Sequence, residues 1–242
     1  MKILALLHTQ EDGSLPKAAL EVLAAAAALK GQPGGSLAVG IIGQGAAGAA
    51  DTVAGCGAER FLTVGAETVA QPRYATDTAA AAALIKESGA ELVVAPGTAR
   101  FARCLPGAAH RAGAQIDTHI VSARAEGGNV QAQRWFYLQR ILGSFSRAAR
   151  PWVLLADTGL NAPWQGAAGA AGAKEIAVSF DDADLRTSVT GTRAPAAAAQ
   201  TIKPDAALLF VAGAGWTKKQ KDGQTHIAAA GALIQGFLHK AN

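Results

Sequence analysis

The chain has 242 residues, half of them hydrophobic, 17% charged and 5% aromatic, with 28 glycines. That supply of apolar residues suits one large or two small globular domains and excludes a disordered tail. Lys and Arg outnumber Asp and Glu by 22 to 18, a formal +4 spread along the chain, so charge does not point to nucleic acid.

No run of about 18 uncharged apolar residues occurs. The first strand-like stretch, Lys2 to Leu7, is too short for a signal h-region and lacks a cleavage pattern. The expectation is a cytoplasmic protein without a membrane span. Cys56 and Cys104 lie far apart without CxxC or metal-like spacing, which argues against a disulfide scaffold and a zinc site and for two small buried residues.

Short β-rich runs alternate with helical patterns through the first half, the mark of a parallel sheet covered by helices. Lys2 to Leu7 reads as a buried strand. Ser14 and Pro16 supply a capping hydroxyl and a first-turn proline for a helix carrying Ala18, Leu20, Val22, Leu23 and Leu29, ended by Gly31 and Pro33. A strand over Ser36 to Ile42, a helix over Ala46 to Ala54 and a strand over Arg60 to Val64 follow. The next helix runs from about Tyr74 to Ser88, with Gly89 at its end. Glu91 to Ala95 forms a strand, and Pro96-Gly97-Thr98 turns into a helix from Ala99 to about Ala112.

From Thr118 the runs are β-rich without intervening helices: Thr118 to Arg124, Asn129 to Leu138 and Pro151 to Asp157, with a hairpin turn at Glu126-Gly127-Gly128-Asn129. Glu175 to Phe180 reads as another strand, Gly166 to Gly172 as a loop, and Arg193 to Gln200 as a Pro/Ala linker. The pattern then restarts with a strand over Asp205 to Ala212, a lysine-bearing loop over Gly213 to Gly223 and a helix over Gln224 to His239. The expected division is therefore 1–192 and 193–242. One strand and one helix cannot enclose a core, so the tail is expected to dock, preferably on another polypeptide.

Gly43-Gln44-Gly45-Ala46-Ala47-Gly48 matches GxGxxG after a strand and before a helix, where glycines let pyrophosphate approach backbone amides. It follows the second strand rather than the first, and Glu59 and Glu67 only loosely meet the spacing of the acidic partner. Tight helix-on-strand packing is the better reading. Gly213-Ala214-Gly215, backed by Lys218 and Lys219, offers the same cradle without a third glycine.

The histidines His8, His110, His119, His226 and His239 form no HExxH pattern, and no serine sits in a GxSxG elbow, so no catalytic constellation is expected. His8 ends the first strand, where α/β folds bind ligands; a polar strand end is the plainer reading. Arg134, Arg140, Arg147 and Arg150 interleave with Trp135, Phe136, Tyr137 and Phe145, a composition that a subunit interface explains better than a nucleic-acid surface.

The order of these segments resembles the α subunit of electron-transfer flavoproteins, the FixB-like family. Lys2 to His8 with Leu15 to Ala24 is similar to that family's first strand and helix. Val94 to Pro106, ending in Ile116-Asp117-Thr118, is similar to the helix after its fourth strand and its characteristic Asp. Arg134-Trp135-Phe136-Tyr137 with Pro151 to Leu155 resembles its Arg-containing hairpin, and Leu209 to Gly215 the glycine turn opening its flavin domain. In that family the turn matching Gly43-Gln44-Gly45 is structural.

Members of the family normally continue for roughly another hundred residues after that glycine turn, through the motifs that hold FAD. This chain ends at Asn242, and the family's Pro-Arg and Tyr-Ala-Gly-Asn become Pro106-Gly107 and Tyr137-Leu138-Gln139-Arg140. The resemblance therefore implies an α-like subunit with a truncated flavin domain, acting as scaffold or electron relay with a β-like subunit and a flavin-dependent dehydrogenase. It implies FAD shared with or held by a partner subunit, AMP in the partner, and flavin contacts at Gly213, Gly215, Trp216, Thr217 and Lys218. The alternative is a stand-alone adenine-nucleotide-binding α/β domain.

Overall fold

The computed structural model describes residues 1–31, 34–126, 129–191, 193 and 208–241. The chain forms two compact units, Met1–Thr190 and Gly191–Asn242.

The first unit is built on one sheet. Strands β1 (Lys2–His8), β2 (Ser36–Ile42), β3 (Arg60–Val64) and β4 (Leu92–Pro96) alternate with helices α1 (Lys17–Lys30), α2 (Ala46–Thr52) and α3 (Tyr74–Ser88). Helix α4 (Ala99–Arg111) leads into β5 (Gln115–Glu126), then β6 (Asn129–Phe136), β7 (Ile141–Phe145), β8 (Trp152–Ala156), β9 (Lys174–Glu175) and a single turn, α5 (Asp182–Leu185). The nine strands lie in the order β7-β6-β5-β8-β4-β1-β2-β3-β9. Every pairing from β5 to β9 is parallel, and β5-β6 and β6-β7 are antiparallel.

Alternation along β1 shows how the helices divide between the faces. Ile3, Ala5 and Leu7 pack with Val22, Leu23 and Leu29 of α1 and with Ala49 and Ala50 of α2. Leu4 and Leu6 pack with Leu84 and Ile85 of α3 and with Phe101 and Leu105 of α4. With both faces covered, the central strands read as continuous apolar runs: β4 and β8 are buried at every position. The alanine-rich helices present short side chains to the sheet, so area is buried through close approach rather than bulk.

Several local expectations change. Ser14 does not cap α1: its hydroxyl donates to Asp12 Oδ1 at 2.6 Å, and Pro16 occupies the N-cap without a side-chain bond. The predicted strand over Glu175 to Phe180 is reduced to Lys174–Glu175, because Glu175 turns inward to accept from the Thr63 hydroxyl and the Gly65 amide at 2.7 Å each. Strand β7, which sequence reading missed, returns from the hairpin tip. The turn glycines Gly127 and Gly128 lie outside the described residues.

In the second unit, a short 3₁₀ turn (Ala214–Trp216) precedes helix α6 (Ile227–Ala241). The predicted strand over Asp205 to Ala212 is not present at Leu208 to Ala212, and 205–207 lie outside the described residues, as does the expected linker apart from Arg193. A lone strand without a neighbouring edge has no partner for its backbone groups. No helix among the described residues is long and apolar enough to cross a membrane.

Candidate functional site

The parallel sheet reverses its winding between β1 and β4, and the crevice beyond their carboxyl ends is where open α/β sheets bind ligands. Here the chain's own side chains fill much of it. His8 Nδ1 lies 3.1 Å from the Thr9 carbonyl, which can only accept, so Nδ1 carries the proton. Nε2 then accepts from the Thr98 hydroxyl at 2.7 Å, while Thr98 Oγ1, the N-cap of α4, accepts from the Phe101 amide. Burial pushes the His8 imidazole down to about 4, with Arg100 adding to the effect. This histidine is a neutral structural link between β1 and α4, not a general base.

Arg100 lies beside it and folds back onto Asp77 of α3. Its Nε and Nη2 donate to the two carboxylate oxygens at 2.9 and 2.6 Å, and Nη2 also reaches the Val69 carbonyl. Asp77 is fully buried and Arg100 is 6% exposed, so the pair closes the crevice with charge that is already matched. A cleft of about 490 Å³ remains, lined by His8, Thr9, Glu11, Asp12 and Arg100 among others. Two carboxylates on its rim disfavour a phosphate.

Packing fixes two glycines of the Gly43 to Gly48 turn, while Gly45 and Gly48 line a cleft of about 640 Å³ with Ser14, Thr52 and Trp164. Gly43 has φ +126°, and a Cβ there would stand 2.3 Å from Thr9 Oγ1; Gly45, at φ +68°, lies against the Cα of Gly13. Gly48 meets nothing within 4 Å. The first two glycines are needed because loops close on them, not because a pyrophosphate must approach. Structural packing therefore accounts for Gly43 and Gly45 of the motif.

The antiparallel extension carries the second constellation. Asp117 of β5 accepts from Arg147 through both oxygens, Nη2 to Oδ1 at 2.8 Å and Nε to Oδ2, and from Trp152 Nε1 at 2.9 Å. Burial opposes its ionisation, but the Arg147 and Trp152 hydrogen bonds and the charges of Arg147 and Arg134 outweigh it and hold the carboxyl below its usual range. Beyond this pair the hairpin tip is exposed and apolar, with Tyr137 76% and Leu138 94% exposed. Tyr137, Leu138 and Gln139 have φ of 50°, 56° and 64°. Three successive non-glycine residues in the left-handed region cost about 1–2 kcal/mol each.

The residues predicted to contact flavin all lie in the second unit. Gly215 and Trp216 line a cleft of about 450 Å³ with Gln220, His226, Ala230 and Leu233. Gly213, Thr217 and Lys218 do not line it: the Thr217 hydroxyl donates to the Ala214 carbonyl, and the Lys218 carbonyl accepts from Gln220 Nε2. Trp216 packs edge-on against Phe210, which also meets Phe237 of α6. Sequence reading missed Gln220 and His226 as cleft residues; the i, i+4 spacing of Asp222 and His226, whose side chains hydrogen-bond at 2.5 Å, was the available signal.

These residues do not form a dinucleotide cradle by themselves. No strand leads into the glycine turn over 208–212, the helical segment after it is three residues long, and a Cβ on Gly213 or Gly215 would meet nothing within 4 Å.

Cys56 and Cys104 are free and buried, and burial pushes the Cys104 thiol up to about 12, far from nucleophilic service. Among the described residues, no group of three or more His, Cys, Asp and Glu side chains is placed to hold a metal ion.

A comparison with curated proteins found no match. The family model described as "Electron transfer flavoprotein domain" matches residues 3–184, which take in the doubly wound sheet, the Asp117 strand and the Arg-bearing hairpin. The chain belongs to the electron transfer flavoprotein domain family.

Proposed function

We propose that this chain is an electron-transfer-flavoprotein-like α subunit that works in a complex with a β-like subunit and a flavin-dependent dehydrogenase, as scaffold or electron relay. The observation that carries the reading is the family match over residues 3–184. The exposed apolar tip of the β6-β7 hairpin, held in a costly left-handed turn, supports association with another protein. The engagement of His8 by Thr98 and of Arg100 by Asp77 at the crevice supports a role without substrate chemistry of its own.

FAD, which supplies one- and two-electron chemistry when bound, is shared with or held by a partner subunit, and any AMP belongs to the partner. Gly213, Gly215, Trp216, Thr217 and Lys218 are the candidates for contacting the flavin from this chain, with Gln220 and His226 added from the cleft.

The test is co-expression with the products of neighbouring reading frames, capture through a tag on this chain, and a visible spectrum of the material recovered. A yellow hetero-oligomer is expected, and Lys218→Glu with Lys219→Glu should lower its flavin content. A colourless monomer that binds adenine nucleotide would overturn the reading.

A further inference from the structure

Arg134 of β6 is a guanidinium without a hydrogen-bonding counter-ion. Its Nε is buried and has no partner among the described residues, and its nearest carboxylate oxygen, on Asp117, is 3.9 Å away, past hydrogen-bond range. Asp117 is turned to other donors, with Arg147 Nη2 on Oδ1 and both Arg147 Nε and the Trp152 indole on Oδ2. Arg134 is nevertheless held in place: its side chain is 24% exposed and its guanidinium stacks 4.7 Å above the Phe136 ring.

Two guanidiniums thus share one carboxylate, leaving a unit of positive charge beside a cleft of about 330 Å³ lined by Asp117, Arg134, Phe136, Phe145, Ser146 and Arg147. A guanidinium whose buried Nε has no partner among the described residues is costly, and an oxyanion is a group that satisfies it. Phe136 and Phe145 line the cleft with aromatic rings, and Ser146 adds a hydroxyl.

We infer that this cleft is an oxyanion site, taking one carboxylate or phosphate on Arg134 with Arg147 beside it. The inference stands on this geometry and does not depend on the electron-transfer reading. The oxyanion has two possible sources, a free small anion or an acidic side chain brought by another chain, and both present the same chemistry to Arg134.

Trp152 supplies a local reporter, since its indole N–H donates to Asp117 at the floor of the site. The full chain, labelled with ¹⁵N, is titrated at constant ionic strength with inorganic phosphate and, separately, with N-acetylglutamate amide, following its four indole resonances. A saturable shift of the Trp152 resonance with phosphate identifies a free anion as ligand. A shift with the glutamate side chain alone identifies a protein-borne carboxylate. No shift from either probe up to about 50 mM overturns the inference.

Arg134→Gln should weaken binding at least about tenfold while the other three indole resonances stay in place. Arg134→Lys keeps the charge and loses the fork, and should weaken it severalfold. Unchanged affinity in either variant overturns the site, and the lysine variant keeps the test decisive if the glutamine variant does not fold.

Discussion

Lowering the pH should destabilise the first unit through His8 in a way that can be sized from its surroundings. The imidazole is 7% exposed and held to about 4, against 6.5 in the unfolded chain, with burial as the main cause. Between those values the unfolded state binds a proton that the folded state refuses, so stability falls as pH falls. The contribution is complete above pH 6.5, declines at up to about 1.4 kcal/mol per pH unit, and levels off below pH 4. From pH 7.5 to 4.5 this amounts to about 2–3 kcal/mol, a sizeable share of the 5–15 kcal/mol typical of a domain.

Urea unfolding followed by tryptophan fluorescence across that range measures it, with His8→Gln as the reference. Glutamine can still bond Thr98 but does not titrate, so its stability should be nearly flat over the same interval apart from the contributions shared with the wild type. Asp117, whose carboxyl is held below its usual range, has its stabilising effect above pH 3.8 and loses it on further acidification, outside this window. Parallel profiles for the wild type and His8→Gln would refute the neutral, doubly bonded histidine.

Other substitutions test the crevice and the glycine turn. Asp77→Asn strands the Arg100 guanidinium in a buried site and should cost about 3–5 kcal/mol, read as a lower urea midpoint, and Arg100→Met in the same chain should recover part of that loss. Gly43→Ala drives a Cβ onto Thr9 Oγ1 at 2.3 Å from a φ of +126° and should cost about 2–4 kcal/mol in the same assay. Gly48→Ala meets open space within α2 and should stabilise by about 0.5–1 kcal/mol, read as a higher urea midpoint.

Much of this protein is legible in its residues taken in order. The apolar runs at Lys2–His8, Ser36–Ile42, Arg60–Val64 and Leu92–Pro96, each followed by an alanine-rich helical stretch, specify alternating strands and helices because periodicity and turn residues act within a few positions. The hairpin composition around Arg134 and Tyr137 is equally local, as is the family resemblance that the match over residues 3–184 bears out.

Strand order lies beyond that range. Inserting β8 between β4 and β5 sets Trp152 beneath Asp117, 35 residues away in sequence, and brings Arg147 onto the same carboxylate. Packing α3 against α4 sets Asp77 under Arg100, and the return of β7 leaves Arg134 short of an acceptor. Which carboxylate each arginine meets, and that Arg134 stops 3.9 Å short of Asp117, is a long-range outcome: every pairing draws on residues tens of positions apart, and only the tertiary structure decides where their charged ends come to rest.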